Sequence, residues 1–399
     1  MATFSTRFLG CKVSFADAQA IRERLLGDGH VEVAEGGEIQ VVNTCCVTHE
    51  AVSKSRQAAS RAARSAQTVY VTGCASNLEG AFSGAPENVV VTARTGDEAA
   101  SFVAGDVGAI GCVEAHHGLD RVRAFVKIQD GCSFSCAFCV IPLVRGATRS
   151  RTAAAVLAEV RRRAAQGHRE IVLTGVNLGC FRDREAGYTL AGLVREAGAI
   201  PGVERLRLSS IEVNHVTDEL VAALTETPTV SPHLHVPLQS GDDRVLRAMG
   251  RRYTAAQFER RLEPLRGLNL TSDVIVGFPT EDEAAFERTL ALVERLGITK
   301  VHVFPYSPRP GTRTAREDVV PTAVKRDRSR RLRALSDELS RRRWQERVGT
   351  TDRVLVDRPG RGYADDYTPW LVRDAPEVGA FVTARAVGIA DEGVLAVAA

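Results

Sequence analysis

Hydrophobic and polar positions change period several times along the first hundred residues. Runs rich in β-branched residues at 38–43 and 68–72 predict buried strands, whereas 17–26 and 50–66 carry the spacing of helices. Strands that alternate with helices predict a small α/β domain with a parallel sheet. Its cysteines follow strands or open the next connection, which is where such sheets place ligands.

The same alternation continues after a polar stretch at 114–120, which predicts a linker. A helix is predicted at 152–166, and strands are predicted at 124–129, 170–174, 205–209, 233–236, 273–277 and 300–304. Six strands separated by helical patterns favour an incomplete α/β barrel over a short open sheet, because the candidate functional residues all fall at C-terminal ends of strands.

The pattern changes again towards the C-terminus. Pro321 and Thr322 can start a helix, and Leu332, Leu335 and Leu339 give it one apolar face. From residue 352 onward, short strands separated by glycine turns predict a small β-barrel. We therefore expect an α/β protein with three domains, at 1–112, 118–345 and 347–399.

Composition is that of a globular protein, with 44% hydrophobic and 25% charged residues among 399. No apolar run approaches the roughly 18 residues of a membrane span, and the N-terminus lacks the layout of a secretory signal. We expect a cytoplasmic protein with no membrane partner. The net charge of +3 is uneven: residues 325–347 carry +6, so the rest of the chain sums to −3. Such a basic stripe could contact a polyanion.

Nine cysteines in a reducing compartment point to metal binding or catalysis rather than to disulfides. Cys132, Cys136 and Cys139 form a Cys-x3-Cys-x2-Cys loop directly after a predicted strand. Three thiolates can hold three irons of a 4Fe–4S cluster and leave one iron open for a small chelating ligand. The alternative is structural zinc, which would need a fourth ligand, and no His or Cys follows closely.

This spacing resembles the radical S-adenosylmethionine superfamily, in which the open iron binds S-adenosylmethionine and an electron cleaves it to a 5′-deoxyadenosyl radical. The resemblance extends to segments at the ends of later strands: 174–177, 209–212, 233–241 and 273–281. It implies cofactor contacts at Gly175, Asn177, Glu212 and Gln239. No individual catalytic residue follows from the sequence.

A second trio, Cys11, Cys45 and Cys74, lies in the N-terminal region, where widely spaced cysteines are ordinarily core residues. The surrounding segments resemble the N-terminal domain of the methylthiotransferase family, which implies that this trio holds an auxiliary 4Fe–4S cluster. Cys46 is a rival ligand. We choose Cys45, because it directly follows Asn-Thr and because adjacent side chains in extended backbone point opposite ways.

Within that family, the segments around Cys11, Cys45 and Cys74, together with the Lys-Ser-Arg-Gln run at 54–57, look like the enzymes that modify N6-threonylcarbamoyladenosine. The resemblance implies a methylthio group added to C2 of this adenosine beside the anticodon of tRNA. It also implies two molecules of S-adenosylmethionine and an electron donor such as flavodoxin or ferredoxin. Cys46 and Ser14 depart from the branch, which usually has threonine and asparagine there.

Two alternatives remain open. One is the same chemistry on isopentenyladenosine or on an aspartate of a ribosomal protein, and the other is a non-catalytic RNA-binding protein with structural zinc. The C-terminal barrel resembles the TRAM domain, an RNA-binding module. Five residues of this barrel are candidates for RNA contact, and a place in the barrel core or on its solvated rim is the equal alternative: Arg361, Tyr363, Tyr367, Trp370 and Arg373. Cys112 and Cys180 match no motif of the family, and we interpret them as structural or incidental.

Overall fold

A computed structural model describes residues 1–110 and 122–399 of the chain. The predicted linker at 114–120 and Cys112 lie outside the described residues. The described chain divides into two compact units. The first unit contains 1–110, 130–149 and 307–315, and the second contains 122–129, 150–306 and 316–399.

The first unit is built on a five-stranded parallel sheet with the order β2-β1-β3-β4-β5. Its strands are β1 (Thr3–Phe8), β2 (Val31–Glu32), β3 (Ile39–Thr44), β4 (Thr68–Gly73) and β5 (Val89–Val91). Its helices are α1 (Lys12–Gly27), α2 (His49–Ala62), α3 (Gly96–Val107) and α4 (Ile141–Arg145), with a 3-10 turn at Ala75–Asn77. Val41 packs in one core with α1 and α3, and Val42 packs in another with α2, so helices cover both faces of the sheet.

The middle of the chain supplies the next strands and helices. The strands are β6 (Arg123–Asp130), β7 (Arg149–Ser150), β8 (Glu170–Gly175), β9 (Arg182–Asp183), β10 (Tyr188–Thr189), β11 (Arg205–Leu208), β12 (His233–His235), β13 (Asn269–Val276) and β14 (Lys300–Pro305). The helices are α5 (Ala153–Ala165), α6 (Leu190–Gly198), α7 (Asp218–Glu226), α8 (Asp243–Ala248), α9 (Ala255–Leu262), α10 (Glu283–Arg295) and α11 (Thr322–Arg347), with 3-10 turns at Leu178–Cys180, Val213–His215 and Glu263–Leu265.

Six of these strands run parallel in the order β6-β8-β11-β12-β13-β14. Isolated bridges from Leu206 to Val230 and from Ser210 to His235 join β11 to the β12 side. One large apolar core lies between the strands and the surrounding helices. The six predicted strands are therefore present, although β13 begins four residues before the predicted 273.

The C-terminal region forms a closed five-stranded barrel. Its strands are β15 (Thr351–Arg358), β16 (Arg361–Tyr363), β17 (Pro369–Arg373), β18 (Phe381–Ala390) and β19 (Gly393–Ala398). The turn at 363–368 packs against the N-terminal ends of the parallel strands. Arg205 donates to Asp365 over 2.7 Å and to the Tyr363 and Arg353 carbonyls, and Asn269 donates to the Asp366 carbonyl.

Most of the positive charge of helix α11 is matched by acids. Eight of the ten basic residues between 325 and 347 lie within 4.0 Å of a carboxylate, and seven of these reach an acid outside the helix. These cations therefore serve ion pairs within the second unit, and contact of the basic stripe with a polyanion stays a prediction. Among the described residues, no helix is long and apolar enough to cross a membrane.

Candidate active site

The Cys-x3-Cys-x2-Cys loop starts immediately after β6. Gly131 has a φ of +67°, and a Cβ there would lie 2.0 Å from the Ala147 carbonyl oxygen, so only glycine fits. The Cys132 amide donates to the Gly146 carbonyl at 3.0 Å, and the Cys139 amide donates to the Cys136 carbonyl at 3.2 Å. The loop is therefore folded back onto 146–148, and its three cysteines are half-buried.

A segment that sequence reasoning missed supports the same loop from behind. The Thr314 amide and hydroxyl both donate to the Ala137 carbonyl, at 3.2 and 3.1 Å, and Arg313 donates to the Ser135 carbonyl at 2.8 Å. These residues follow β14, the last strand of the barrel. The sequence signal that could have pointed to these residues is the segment 307–315, which contains two prolines, a glycine and two arginines.

The three N-terminal cysteines come from three neighbouring chain segments. Cys11 follows β1, Cys45 follows β3, and Cys74 follows β4, so all lie at the C-terminal edge of one parallel sheet. Burial, together with the neighbouring thiols of Cys74 and Cys11, raises the pKa of Cys45 to about 11. The structure thus brings the predicted trio together.

Cys46 has a different setting from Cys45. Its side chain is fully buried in an apolar cluster with Cys74, Val52 and Val144. Cys45 is only half-buried. A Cβ built on Gly10, the residue before Cys11, would lie 3.1 Å from the Cβ of Cys45. Cys46 therefore belongs to the packing around Cys74, whereas Cys45 lies beside Cys11 as well as Cys74.

Arg145 connects the two cysteine-bearing regions of the first unit. Its Nε donates to Cys74 Sγ at 2.9 Å, its Nη1 donates to Asp130 at 2.9 Å, and its Nη2 donates to Asp17 at 2.7 Å. The Cys46 thiol and then the Arg145 charge lower the pKa of Cys74 to about 7, although burial alone would raise it. Asp130 in turn accepts from the Gly131 amide at 2.7 Å. One buried guanidinium therefore bonds a cysteine of one trio and the start of the other loop.

The predicted cofactor contacts at 175 and 177 lie where β8 ends. The Asn177 amide donates to Gln129 Oε1 at 2.8 Å, and a Cβ at Gly175 would lie 3.0 Å from that same oxygen. Gly175 therefore leaves room for the Gln129 side chain, which in turn holds the turn after β8.

Glu212 and Gln239 follow β11 and β12. Glu212 is 7% exposed, caps the next turn through the Asn214 amide at 2.9 Å, and lies 3.4 Å from Arg251. Gln239 has a φ of +67°, and its amide and carbonyl bond the backbone of Asp273 and Ile275. Both residues thus shape the ends of their strands.

Comparisons with known proteins decide the family. Residues 126–293 match the radical SAM superfamily, and residues 3–92 match an uncharacterized protein family designated UPF0004. The threonylcarbamoyladenosine tRNA methylthiotransferase MtaB of Chlamydia pneumoniae is 32% identical over 98% of this chain and 97% of its own length. The chain belongs to the radical S-adenosylmethionine methylthiotransferase family.

Two further similarities bear on this methylthiotransferase. The tRNA-2-methylthio-N(6)-dimethylallyladenosine synthase of Sphingopyxis alaskensis is 33% identical over 92% of this chain and 90% of its own. The radical S-adenosylmethionine methyltransferase TsrM from Kitasatospora setae superposes with a TM-score of 0.56 at 15% identity, covering 78% of this chain and 77% of TsrM. The latter similarity concerns the fold alone.

The donor set of this methylthiotransferase fits iron–sulfur clusters. Thiolates ligate such clusters, and N–H groups that bond the sulfurs tune them. Cys74 already accepts such a bond from Arg145. Asn43, which precedes Thr44 and Cys45, accepts from Ser14 at 2.6 Å, and its buried Nδ2 has no hydrogen-bond partner among the described residues. That amide is a spare donor beside the cysteine trio.

The aromatic residues proposed for RNA contact are structural in this methylthiotransferase. Trp370 is fully buried in the core of the C-terminal barrel. Tyr363 and Tyr367 stack on each other at 4.8 Å, with Arg123 over the first ring and Arg207 over the second. The prediction that these three residues stack on RNA bases is therefore wrong, because other side chains already cover the faces of their rings.

The remaining candidates lie at the surface of that barrel. Arg361 pairs with Glu392 at 2.6 Å, and Arg373 is exposed. Cys180, interpreted as structural, has its Sγ 3.4 Å from His215 Nε2.

Proposed function

We propose that this methylthiotransferase adds a methylthio group to C2 of N6-threonylcarbamoyladenosine beside the anticodon of tRNA, using two 4Fe–4S clusters and two molecules of S-adenosylmethionine. The substrate rests on the MtaB-named relatives, which match along nearly the whole chain. The second cluster rests on the convergence of Cys11, Cys45 and Cys74 beside the Arg145 guanidinium, and this convergence is the observation that carries the proposal.

When bound, the clusters and S-adenosylmethionine supply the 5′-deoxyadenosyl radical, the sulfur and the methyl group. The chain supplies ligands and shape. Cys132, Cys136 and Cys139 would hold one cluster, and Cys11, Cys45 and Cys74 would hold the other. Gly175, Asn177, Glu212 and Gln239 would line the S-adenosylmethionine site as the rigid ends of their strands.

The same proposal assigns three domains and their partners. Residues 1–112 carry the auxiliary cluster, 118–345 the radical chemistry, and 347–399 a TRAM domain for RNA. The macromolecular partner is the anticodon stem-loop of tRNA, whose single-stranded bases can leave the stack. A flavodoxin or ferredoxin would donate electrons, and the enzyme would act in the cytoplasm.

Isopentenyladenosine is the second candidate substrate, because the dimethylallyladenosine synthase of Sphingopyxis alaskensis is as similar to this chain as the MtaB relatives are. Membership in an enzyme family argues against the zinc-containing, non-catalytic alternative. The reported relatives are named for tRNA, so an aspartate of a ribosomal protein has no comparable support.

Nucleoside masses in tRNA test the proposal. A strain lacking the gene should lose methylthio-threonylcarbamoyladenosine and accumulate the unthiolated nucleoside, and the wild-type gene should restore it. A Cys136→Ala gene should not restore it, whereas Cys180→Ala, the matched control, should. Loss of the methylthio-isopentenyl nucleoside instead would overturn the choice of substrate.

A further inference from the structure

The inner face of strands β12, β13 and β14 carries a group of polar residues that the proposed function does not use. Leu234, Val274 and Val276 point outward and pack with the surrounding helices in the main core. Because side chains alternate along a strand, the residues between them point to the opposite, inner face. These inner residues are His233, His235, Thr271, Asp273 and His302.

Three of them, His235, Asp273 and His302, form what we call the His–Asp–His patch. His235 Nε2 lies 3.2 Å from Asp273 Oδ1, and the rings of His235 and His302 are 5.6 Å apart. One polar atom from each residue falls within 4.8 Å of the others. His235 and Asp273 are partly exposed, at 14% and 26% of their side chains, and His302 is exposed. A ligand on the inner face can therefore reach all three.

Thr271 fixes the orientation of His235 in this patch. Its hydroxyl lies 2.9 Å from His235 Nδ1 and 3.0 Å from His233 Nε2. One assignment of protons satisfies every group: His233 donates to Thr271, Thr271 donates to His235 Nδ1, and His235 Nε2 donates to Asp273. With that assignment, His235 offers no lone pair to a metal ion, although two histidines and a carboxylate could otherwise ligate one.

The patch offers the imidazole of His302 as an N–H donor beside the Asp273 carboxylate, which already accepts one hydrogen bond from His235. An N6-threonylcarbamoyl group presents the complementary set, with one carboxylate to accept and a hydroxyl and amides to donate. An isopentenyl group presents only hydrocarbon. Covering the patch with hydrocarbon would leave its polar atoms unpaired, which is a strong basis for rejecting the wrong ligand.

We propose that the His–Asp–His patch binds the threonyl end of the N6 substituent, with His302 donating to its carboxylate and Asp273, held in place by His235, accepting from its hydroxyl or amide. This inference rests on the proposed function and deepens it. It assigns the choice between a polar and an apolar adenosine substituent to three side chains of the barrel wall.

Binding without turnover tests the assignment. The cluster-loaded enzyme, kept oxidised and with EDTA present, is titrated with fluorescent anticodon stem-loops that carry threonylcarbamoyladenosine, isopentenyladenosine or unmodified adenosine. We expect the wild type to prefer the first RNA. His302→Ala and Asp273→Asn should each weaken its binding about tenfold or more, the scale of a lost hydrogen bond to a charged group. Binding of the unmodified RNA should be unchanged, and His302→Ala should strengthen binding of the isopentenyladenosine RNA, because it removes a polar group that hydrocarbon would leave unpaired.

Lys300→Ala is the matched control, because it lies on the same strand in an exposed pair with Asp337 and should change nothing. If the wild type prefers threonylcarbamoyladenosine while both patch variants keep that preference, the patch assignment is overturned and the proposed function survives. If the wild type prefers isopentenyladenosine, the proposed function itself fails. A preference that appears only after Zn²⁺ replaces EDTA, and that the variants abolish, would make the patch a metal site and overturn direct binding.

Discussion

At the scale of single residues, the vicinal pair Cys45 and Cys46 shows how neighbours in sequence acquire different roles. Extended backbone directs the two side chains to opposite sides. Cys46 is fully buried in an apolar cluster, whereas Cys45 is half-buried beside Cys11 and Cys74. A cluster ligand needs access to the common centre of the trio, and this favours Cys45.

Iron content separates the two residues. We expect Cys45→Ala to lose about four irons after anaerobic reconstitution, the content of one cubane cluster, while Cys46→Ala keeps them. Cys46→Ala should instead unfold at a lower temperature, because it removes a buried sulfur from the packing around Cys74. Iron loss in Cys46→Ala with full loading of Cys45→Ala would reverse the ligand assignment.

The spacing of Cys132, Cys136 and Cys139 was sufficient to predict their loop, because the three cysteines are close together in sequence. Nothing in the sequence links residue 145 to residue 74, so the Arg145–Cys74 bond could not be predicted. The burial of Trp370 was equally out of reach, since the pattern of a small barrel does not tell a core aromatic from a surface one. Contacts between distant segments depend on packing, which no local pattern encodes.

At the scale of the element, the loop from 131 to 148 depends on one backbone conformation. Gly131 adopts a positive φ and touches the Ala147 carbonyl, whereas Gly146 also has a positive φ, of +71°, but would meet only the flexible end of Arg149. Both glycines have a backbone conformation that strains other residues, but only Gly131 has no room for a Cβ. Substituting each in turn therefore separates the effect of backbone strain from the effect of a steric clash.

Alanine at each glycine tests the closure of this loop. Gly131→Ala should prevent closure and lose about four irons, since its Cβ has no room. Gly146→Ala should cost only about 1 kcal/mol of backbone strain and keep its iron. The measurement is iron and sulfide per chain after reconstitution, and equal loading of both variants would refute the steric argument.

At the scale of the whole molecule, buried arginines fasten the C-terminal barrel to the parallel strands. Arg205 is 1% exposed and bonds Glu170, Asp365 and two carbonyls of the C-terminal barrel. Burial and the neighbouring Arg207 lower its pKa to about 10, which still leaves it charged at neutral pH. The ion pairs of helix α11 add to the same attachment, but they are more exposed and contribute less.

Arg205→Met should therefore destabilise the second unit strongly. Removing one partner of a buried pair costs about 3–5 kcal/mol, because Glu170 is left without that cation. Arg341→Met is the matched control: it breaks an exposed pair with Asp391 and should cost less than about 1 kcal/mol. Thermal unfolding followed by circular dichroism checks both variants. If Arg205→Met and Arg341→Met unfold at the same midpoint temperature, the buried contacts of Arg205 do not hold the barrel in place.

The contacts of the Arg145 guanidinium limit how the two cysteine-bearing segments can be exchanged between related genes. One side chain satisfies Cys74 of the N-terminal sheet, Asp17 of its first helix and Asp130 at the mouth of the later loop. A recombinant that took its N-terminal half from one relative and its loop from another would keep these bonds only if both parents carried matching partners. The two cysteine sets should therefore pass between lineages as one heritable block rather than as separable modules.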